Sequence, residues 1–314
     1  MEKGLIIRST GSWYEVLQGE GTSEQKVYQG RLRGKFKQSK IKIKSTNPLA
    51  VGDYVDFEVE SEEENTAIIM DIHERRNYLV RQSTRKRWHK HVIAANIDLA
   101  IVMATVKQPR TSPGFIDRFL VSAESFEIPA LVLFNKHDLL DEDEKEYQEQ
   151  YEKLYRSLGY QSMHISALNK DGMDELYEVL KGKKSLIAGH SGVGKSTLIN
   201  TLVPEAQQET KEISSFANKG VHTTTYAEMF ILGNGIFLID TPGIKELGIM
   251  DVEEAELGMF FPEIKKYQKN CKYYNCTHLH EPGCAVIEAV EQSKIAIPRY
   301  KSYISMMENE DNRR

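Results

Sequence analysis

Cysteine is scarce in this chain and unevenly placed: there are three in 314 residues, Cys271, Cys276 and Cys284, all in one short stretch. An odd, tight group of this kind makes a poor disulfide framework and reads as metal ligation in a reducing compartment. No apolar run reaches the roughly 18 residues that a spanning helix needs, so no membrane partner is expected. Met1 to Val16 lack a long apolar core followed by a small-residue cleavage site. The expectation is therefore a cytoplasmic protein without a secretory signal. There is no internal repeat and no apolar stripe that argues for a dimer, so a monomer is expected.

Net positive charge is also missing: the balance is −5, which alone would argue against a polyanionic partner. The distribution argues the other way. Residues 31–44 carry seven Lys or Arg and no acid, and residues 81–91 carry five more. The acids gather at Glu58–Glu64, Asp141–Glu152 and Asp251–Glu256. Local patches of this kind steer a partner more than the total does. Arg31, Arg33, Lys35 and Lys37 alternate, which on a strand spanning 27–37 puts them on one face. Lys40, Lys42 and Lys44 repeat the pattern, giving a comb suited to a phosphate backbone with no acid to relieve it. Phe36 and Trp13 could stack on bases, although the expectation for both is core packing.

With 40% apolar and 28% charged residues the composition is that of a globular protein, long enough for two or three domains. Short runs at Trp13–Leu17, Val27–Lys37, Tyr54–Glu60 and Ala67–Ile72 mix β-branched, aromatic and polar residues between Gly, Asn, Pro and Ser, which suggests a small barrel or sandwich. From about Arg75 apolar runs alternate with helical patterns: 99–104 then 115–126, 130–134 then 142–158, 163–165 then 173–180, 185–188 then 195–202. Runs at 229–232 and 236–239 complete the set. This is the signature of a parallel sheet covered on both faces. The last sixty or so residues read as helices over 253–269, 285–293 and 299–308, around the cysteine group. The expected domains are 1–74 (all-β, RNA-binding), 75–250 (α/β) and 251–314 (helical and metal-binding).

The chemistry lies in loops that follow the apolar strands. Gly189-His190-Ser191-Gly192-Val193-Gly194-Lys195-Ser196 fits the phosphate-binding pattern G-x-x-x-x-G-K-[ST] between a strand and a helix. Its glycines let backbone N–H groups turn toward phosphates, Lys195 adds a charge near the β- and γ-phosphates, Ser196 offers a hydroxyl to Mg²⁺, and Thr197 is expected among the nucleotide-binding residues. Asn135-Lys136-His137-Asp138 ends the strand 130–134. A carboxylate there accepts from both the ring N1–H and the exocyclic amine of guanine, and adenine would leave that charge unpaired. Ser166-Ala167-Leu168 ends the next strand and would give a backbone donor to the guanine oxygen. Asp240-Thr241-Pro242-Gly243 follows the last apolar run, with Asp240 reaching Mg²⁺ through water and the Gly243 amide sensing the γ-phosphate. Thr223, Thr224 and Thr225 lie between. Thr224 is the candidate nucleotide contact, and the pattern leaves open which of the three completes the Mg²⁺ shell. The expected ligands are thus GTP or GDP with Mg²⁺.

In ordinary GTPases the phosphate loop comes first and the Asn-Lys-x-Asp and Ser-Ala motifs last. Here those two precede it, a circular permutation that is tolerable when the termini of the uncut domain lie close together. The segment after Gly243 then runs directly into the tail, and the expectation is that nucleotide state repositions it. Ras-like enzymes place a water-orienting glutamine after that glycine; Ile244 stands here, so unaided hydrolysis should be slow. His222 is a candidate to orient water, with a purely structural histidine as the alternative.

Cys271-x4-Cys276-x-His278-x5-Cys284 offers three thiolates and an imidazole, a donor set for one closed, structural Zn²⁺. His280 is a rival for His278. The ion would fold a tail expected to have little core of its own.

Together these motifs resemble the circularly permuted GTPases of the RsgA/YjeQ type, which act in maturation of the small ribosomal subunit. The motif order, His-Thr-Thr-Thr at 222–225, Asp-Thr-Pro-Gly at 240–243 and the Cys/His spacing carry the likeness, which covers essentially the whole chain. It implies an OB-fold N-terminal domain, a central permuted P-loop GTPase domain and a zinc-finger tail. It also implies binding near the decoding region of the small subunit, rRNA contacts from both flanking domains, and GTP hydrolysis stimulated by the ribosome. The stretch Arg85–His91 is more basic than the linker such proteins have, and reads as an extra RNA contact or a disordered loop. A GTP-dependent chaperone, or a scaffold not acting on the ribosome, is the alternative.

Overall fold

The computed structural model of the chain describes residues 1–22, 24–34, 48–82, 90–202, 227–241 and 254–308. The first five strands are β1 (Glu2–Ser9), β2 (Tyr14–Gln18), β3 (Lys26–Leu32), β4 (Tyr54–Ser61) and β5 (Thr66–Ile72). Their order β1-β2-β3-β5-β4, with β4 pairing back to β1, closes a five-stranded barrel with one parallel pair, β3–β5. Closure removes the sheet edges. The inward positions Ile6, Tyr14, Val16, Tyr28, Val55, Phe57, Ala67 and Ile69 fill the barrel. Sequence patterning misses β1, and the reason is burial: Gly4–Ile7 are all buried, so the polar alternation that marks a half-exposed strand is absent.

Three expectations for this region need correction. β3 ends at Leu32, so no strand spans 27–37. Arg31 is relieved by an acid after all, with Nη2 2.5 Å from Glu60 Oε1 on the exposed side of β5, and Lys26 pairs with Glu62. Lys35, Phe36, Lys37, Lys40, Lys42 and Lys44 lie outside the described residues, as do residues 83–89 of the second basic stretch. Trp13 is not a core residue; it sits in the turn before β2, where its carbonyl accepts from Thr10 N at 2.9 Å, and it is 44% exposed.

A hairpin, β6 (Tyr78–Gln82) with β7 (Lys90–Ala95), leads into the α/β region. There β8 (Leu99–Ala104), β9 (Ala130–Phe134), β10 (Gln161–His164), β11 (Lys184–Ala188), β12 (Glu228–Ile231) and β13 (Phe237–Asp240) form a sheet of order β10-β9-β8-β11-β13-β12. The first five in that order run parallel, but β12 is antiparallel to β13, which corrects the all-parallel reading. A tight turn through Gly233, Asn234 and Gly235, all with positive φ, joins β12 to β13, and so short a connection allows only antiparallel pairing.

Every residue of β8 and β9 is buried, since helices cover both faces. Helices α1 (Pro113–Ser125) and α2 (Glu142–Ser157) lie on one face, with Phe115, Phe119 and Tyr155 in that core. Helices α3 (Met173–Leu180) and α4 (Lys195–Leu202) lie on the other, with Met173, Leu176, Leu180 and Leu198. The helix starts are written locally. Ser112 caps α1 ahead of Pro113, and Asp141 with Glu144 forms a capping box on α2. The barrel joins this sheet where β1 meets β12 at Arg8 and Glu228. Lys184 on β11 clamps the junction, its Nζ 3.1 Å from Glu20 and 2.9 Å from the Tyr54 hydroxyl.

In the tail the helix expected over 253–269 is broken. A 3₁₀ segment, Glu254–Phe260, precedes α5 (Pro262–Gln268). Pro262 cannot continue a helix and holds Phe261 extended, at φ −109° and ψ 105°. After the Cys/His loop come α6 (Ala285–Glu291) and α7 (Ile297–Met307). The tail does not lack a core: Leu257, Phe261, Ile264, Val286, Ile295 and Tyr303 pack together with Val121 of α1. The apolar side chains are too evenly spread along these short helices to announce that cluster in sequence. Among the described residues no helix is long and apolar enough to cross a membrane.

Candidate functional site

The two groups of loops that the sequence separates meet at one side chain. Asn135, at the end of β9, is buried. Its Oδ1 accepts from the backbone N–H of Ala167 at 3.0 Å, and its Nδ2 donates to the carbonyl of Val193 at 2.8 Å. The Asn-Lys-x-Asp, Ser-Ala and phosphate loops are thereby tied together. The Ala167 N–H, one of the donors expected for a guanine oxygen, is engaged with Asn135. Thr201 of α4 adds a further tie, donating to Ala167 O at 3.0 Å.

The phosphate loop bridges β11 and α4, as expected. A side chain at Gly189 would lie 2.5 Å from Met103 O. Gly194 has φ +102°, and a Cβ there would lie 2.4 Å from Asn135 Nδ2. Gly194→Ala should therefore raise the nucleotide dissociation constant at least about tenfold, since it combines backbone strain of about 1–3 kcal/mol with displacement of Asn135. Titration with a fluorescent guanine nucleotide checks this, and an unchanged constant would show that the loop does not need Asn135 in place. Val193 is buried beneath the loop, whereas Ser191, Gly192, Ser196 and Thr197 face outward. The His190 ring lies 4.0 Å from that of Phe115 at the start of α1.

Lys195 folds back over its own loop, donating from Nζ to Gly189 O at 2.7 Å and to His190 O at 3.0 Å. Burial pulls its pKa down, and the nearby Asp240 opposes that. Asp240, at the end of β13, has its carboxyl pushed up by burial, with Lys195 opposing. Its Oδ1 is buried without a hydrogen-bond partner among the described residues. A buried carboxylate oxygen lacking a partner fits a cation. Thr241 is locked by a 2.9 Å bond to Ile187 O. His222, Thr223, Thr224, Thr225, Gly243 and Ile244 lie outside the described residues, as does the whole of 242–253 that leads into the tail.

On the base side, Lys136 has φ +65° and opens the short turn His137–Leu139, which leaves Asp138 exposed. Lys136 Nζ donates to Gln108 O at 2.5 Å. That partner belongs to the loop between β8 and α1, which closes on itself: Thr105 N donates to Thr111 Oγ1 at 3.0 Å and Thr111 N to Thr105 O at 2.8 Å. Pro109 of the same loop would be 3.5 Å from a side chain at Gly192. Sequence reasoning misses this third wall, because a backbone carbonyl leaves no residue signature.

In the tail the ligand atoms of Cys271, Cys276, His278 and Cys284 all lie within 4.8 Å of one another. Nδ1 of His278 is 3.6 Å from Cys271 Sγ and 3.4 Å from Cys284 Sγ, and those two sulfurs are 3.9 Å apart. A tetrahedral zinc ion with bonds of about 2.3 Å to sulfur and about 2.0 Å to nitrogen spaces its ligands by about 3.8 Å and 3.5 Å, so the set fits that ion. His278, not His280, faces the thiols. Burial, with Cys284 and Cys271 alongside, pushes the Cys276 thiol up to about 12, so a bound cation must displace protons here. The His278 backbone is left-handed, at φ +60°. Three side chains hold it so. Glu281 accepts from Thr277 N, Thr277 Oγ1, Leu279 N and His280 N, while Tyr300 and Tyr303 donate to the carbonyls of His278 and Thr277 at 2.6 and 2.8 Å.

Comparison with known proteins gives a consistent result. The RsgA GTPase family profile matches residues 72–250, and the RsgA N-terminal domain profile matches residues 3–69. The small ribosomal subunit biogenesis GTPase RsgA of Bacteroides fragilis is 48% identical over 309 residues, covering 98% of this chain and 97% of that protein. The protein of the same name from Cytophaga hutchinsonii is 47% identical, covering 99% and 100%. The crystal structure of YjeQ from Thermotoga maritima superposes with a TM-score of 0.76 at 34% identity, covering 100% and 99% of the two chains. YloQ, a circularly permuted GTPase, gives 0.74 at 32% identity, covering 100% and 96%.

Proposed function

Since the chain belongs to the RsgA family of circularly permuted GTPases, we propose that it hydrolyses GTP to GDP and phosphate on the small ribosomal subunit during its late maturation. The observation that carries this is Asn135, bonded at once to the Ser-Ala loop and to the phosphate loop. That supports the reading, because it ties the loop proposed for the base to the loop proposed for the phosphates, as phosphoryl transfer by positioning requires.

In this reading Asp138 takes the guanine N1–H and amine, and Asn135, Lys136, His137, Ser166 and Ala167 shape the pocket around it. The backbone of residues 189–194 cradles the phosphates. Lys195 leaves its two carbonyl partners to meet them. Ser196 and Asp240 hold Mg²⁺, which supplies charge neutralisation on the transferring group; the unpartnered Asp240 oxygen suits that role. Thr197 borders the phosphate pocket, Thr224 and Gly243 act on the γ-phosphate side, and His222 orients water. Cys271, Cys276, His278 and Cys284 hold a structural Zn²⁺. The domains are assigned to 1–74, 75–250 and 251–314. The protein acts as a cytoplasmic monomer, with rRNA contacts from the two flanking domains.

GTP turnover measured with and without purified small subunits tests this. The subunits should accelerate turnover, and Lys195→Ala should abolish it in both conditions. GTP binding with no acceleration would overturn the ribosomal reading in favour of a scaffold or chaperone.

A further inference from the structure

Helix α2 buries an unusual face. Two of its three buried residues, Gln148 and Glu152, are polar or charged, at positions where a helix on a sheet normally places aliphatic side chains. Gln148 and Glu152 are respectively 1% and 2% exposed. Glu152 Oε1 accepts from Gln148 Nε2 at 2.9 Å and from His164 Nδ1 at 2.8 Å, and Oε2 accepts from Arg156 Nη2 at 2.6 Å. Gln148 Nε2 also reaches His137 Nδ1 at 3.2 Å. The rings of His137 and His164 stack, with centroids 4.2 Å apart and planes at 25°. Arg156 Nε donates to Ser162 O of β10 at 2.8 Å.

This network lies directly beneath the two loops that read the base. His137 is the variable position of the Asn-Lys-x-Asp turn, and His164 ends β10 two residues before Ser166. Glu152 Oε1, as a carboxylate acceptor, pairs with the tautomer of His164 that donates from Nδ1. The Gln148 amide nitrogen can only donate, so His137 Nδ1 is bare; flipping the amide would set its oxygen against the carboxylate. Both nitrogen-bound hydrogens of Gln148 are used, and among the described residues its Oε1 is left buried without a hydrogen-bond partner. An apolar face would pack α2 without that penalty. Asn135 anchors the opposite end of the turn, and the exposed Asp138 end is steadied through His137.

We propose that Glu152, acting through Gln148 and His164, is a positioning residue for guanine recognition: it holds the His137–Asp138 turn and the Ser166–Ala167 loop in the register that lets Asp138 read the base. The proposal rests on the GTPase reading above. It does not touch the phosphate or Mg²⁺ machinery, so its signature is a change in base selectivity with turnover at saturating GTP unchanged.

The test compares equilibrium binding of GDP and of inosine diphosphate, which lacks the exocyclic amine, to wild type, Glu152→Ala, Glu152→Gln and His164→Phe, alongside thermal unfolding and kcat. Glu152→Ala should weaken GDP binding about tenfold while weakening inosine diphosphate binding less, so the selectivity ratio contracts. Glu152→Gln, which keeps one acceptor, and His164→Phe, which keeps the stack but not the hydrogen bond, should fall between. Equal losses for both nucleotides with a lowered Tm, or GDP affinity within about twofold of wild type in every variant, overturns the proposal. Should Glu152→Ala fail to fold, the other two variants decide by the same ratio. A wild-type protein that does not prefer GDP to ADP would instead overturn the underlying GTPase reading.

Discussion

Asp138→Asn is expected to lower GTP affinity by about a hundredfold to ten-thousandfold and to create affinity for xanthosine triphosphate. In the proposed reading the charged acceptor of two hydrogen bonds, each contributing about 1.5–3 kcal/mol, is lost; the asparagine oxygen can accept only one, uncharged, and its amide N–H then meets the guanine amine donor to donor, while each 1.4 kcal/mol is a factor of ten. The asparagine amide can instead donate to the oxygen that xanthine carries where guanine has its amine. Because Asp138 is exposed and sits at the tip of the turn, the fold should be undisturbed. Calorimetric titration with both nucleotides, plus a thermal melt, makes the measurement. Retained GTP affinity, or lost affinity without gain of the xanthine nucleotide, would mean that another group reads the base. The variant also separates base reading from loop integrity, since Asn135 keeps both of its bonds.

The second large effect is on stability. Arg299 of α7 is 1% exposed and donates to Asp117 of α1 at 2.7 Å and to Glu263 of α5 at 2.6 and 3.3 Å, with Phe261 against its guanidinium. Asp117 also accepts from the Tyr155 hydroxyl at 3.1 Å. This triad joins the tail to the GTPase sheet. Arg299→Ala leaves two buried carboxylates without their cation and should destabilise the protein by about 3–5 kcal/mol. Replacing all three charges together, as in Arg299→Met with Asp117→Leu and Glu263→Met, should recover most of that loss, because the desolvation penalty goes with the charges. Denaturant unfolding of the two variants checks the pair. A loss below about 1 kcal/mol for Arg299→Ala would show that the carboxylates find other partners or water.

These two predictions mark where the sequence is legible and where it is not. The phosphate loop, the Asn-Lys-x-Asp turn and the strands at 99–104 and 130–134 are written in contiguous residues. Glycine φ, one lysine charge and a run of buried aliphatics decide them within a few positions, and the observed bounds of β8, β9, α3 and α4 match the reading residue for residue. Pro262 was an equally local signal, and it accounts for the break that the helical pattern over 253–269 obscures. By contrast Arg31 looked unopposed because its acid, Glu60, is twenty-nine positions away on another strand. Glu152 looked like one more charge on an acidic helix, and β1 did not look like a strand because it is covered on both sides.

The sequence by itself was enough to mark a GTPase, the loops that the fold brings together, and the three thiols and one imidazole that gather in the tail. Each of these depends on short-range backbone geometry and on the charge of residues close along the chain. Only the tertiary structure decided which charges are paired, how the barrel closes, and that the tail has a core fastened to α1 by Arg299. Those outcomes depend on partners brought from far along the chain, and on burial, which changes the energetic meaning of a charged side chain without changing its letter.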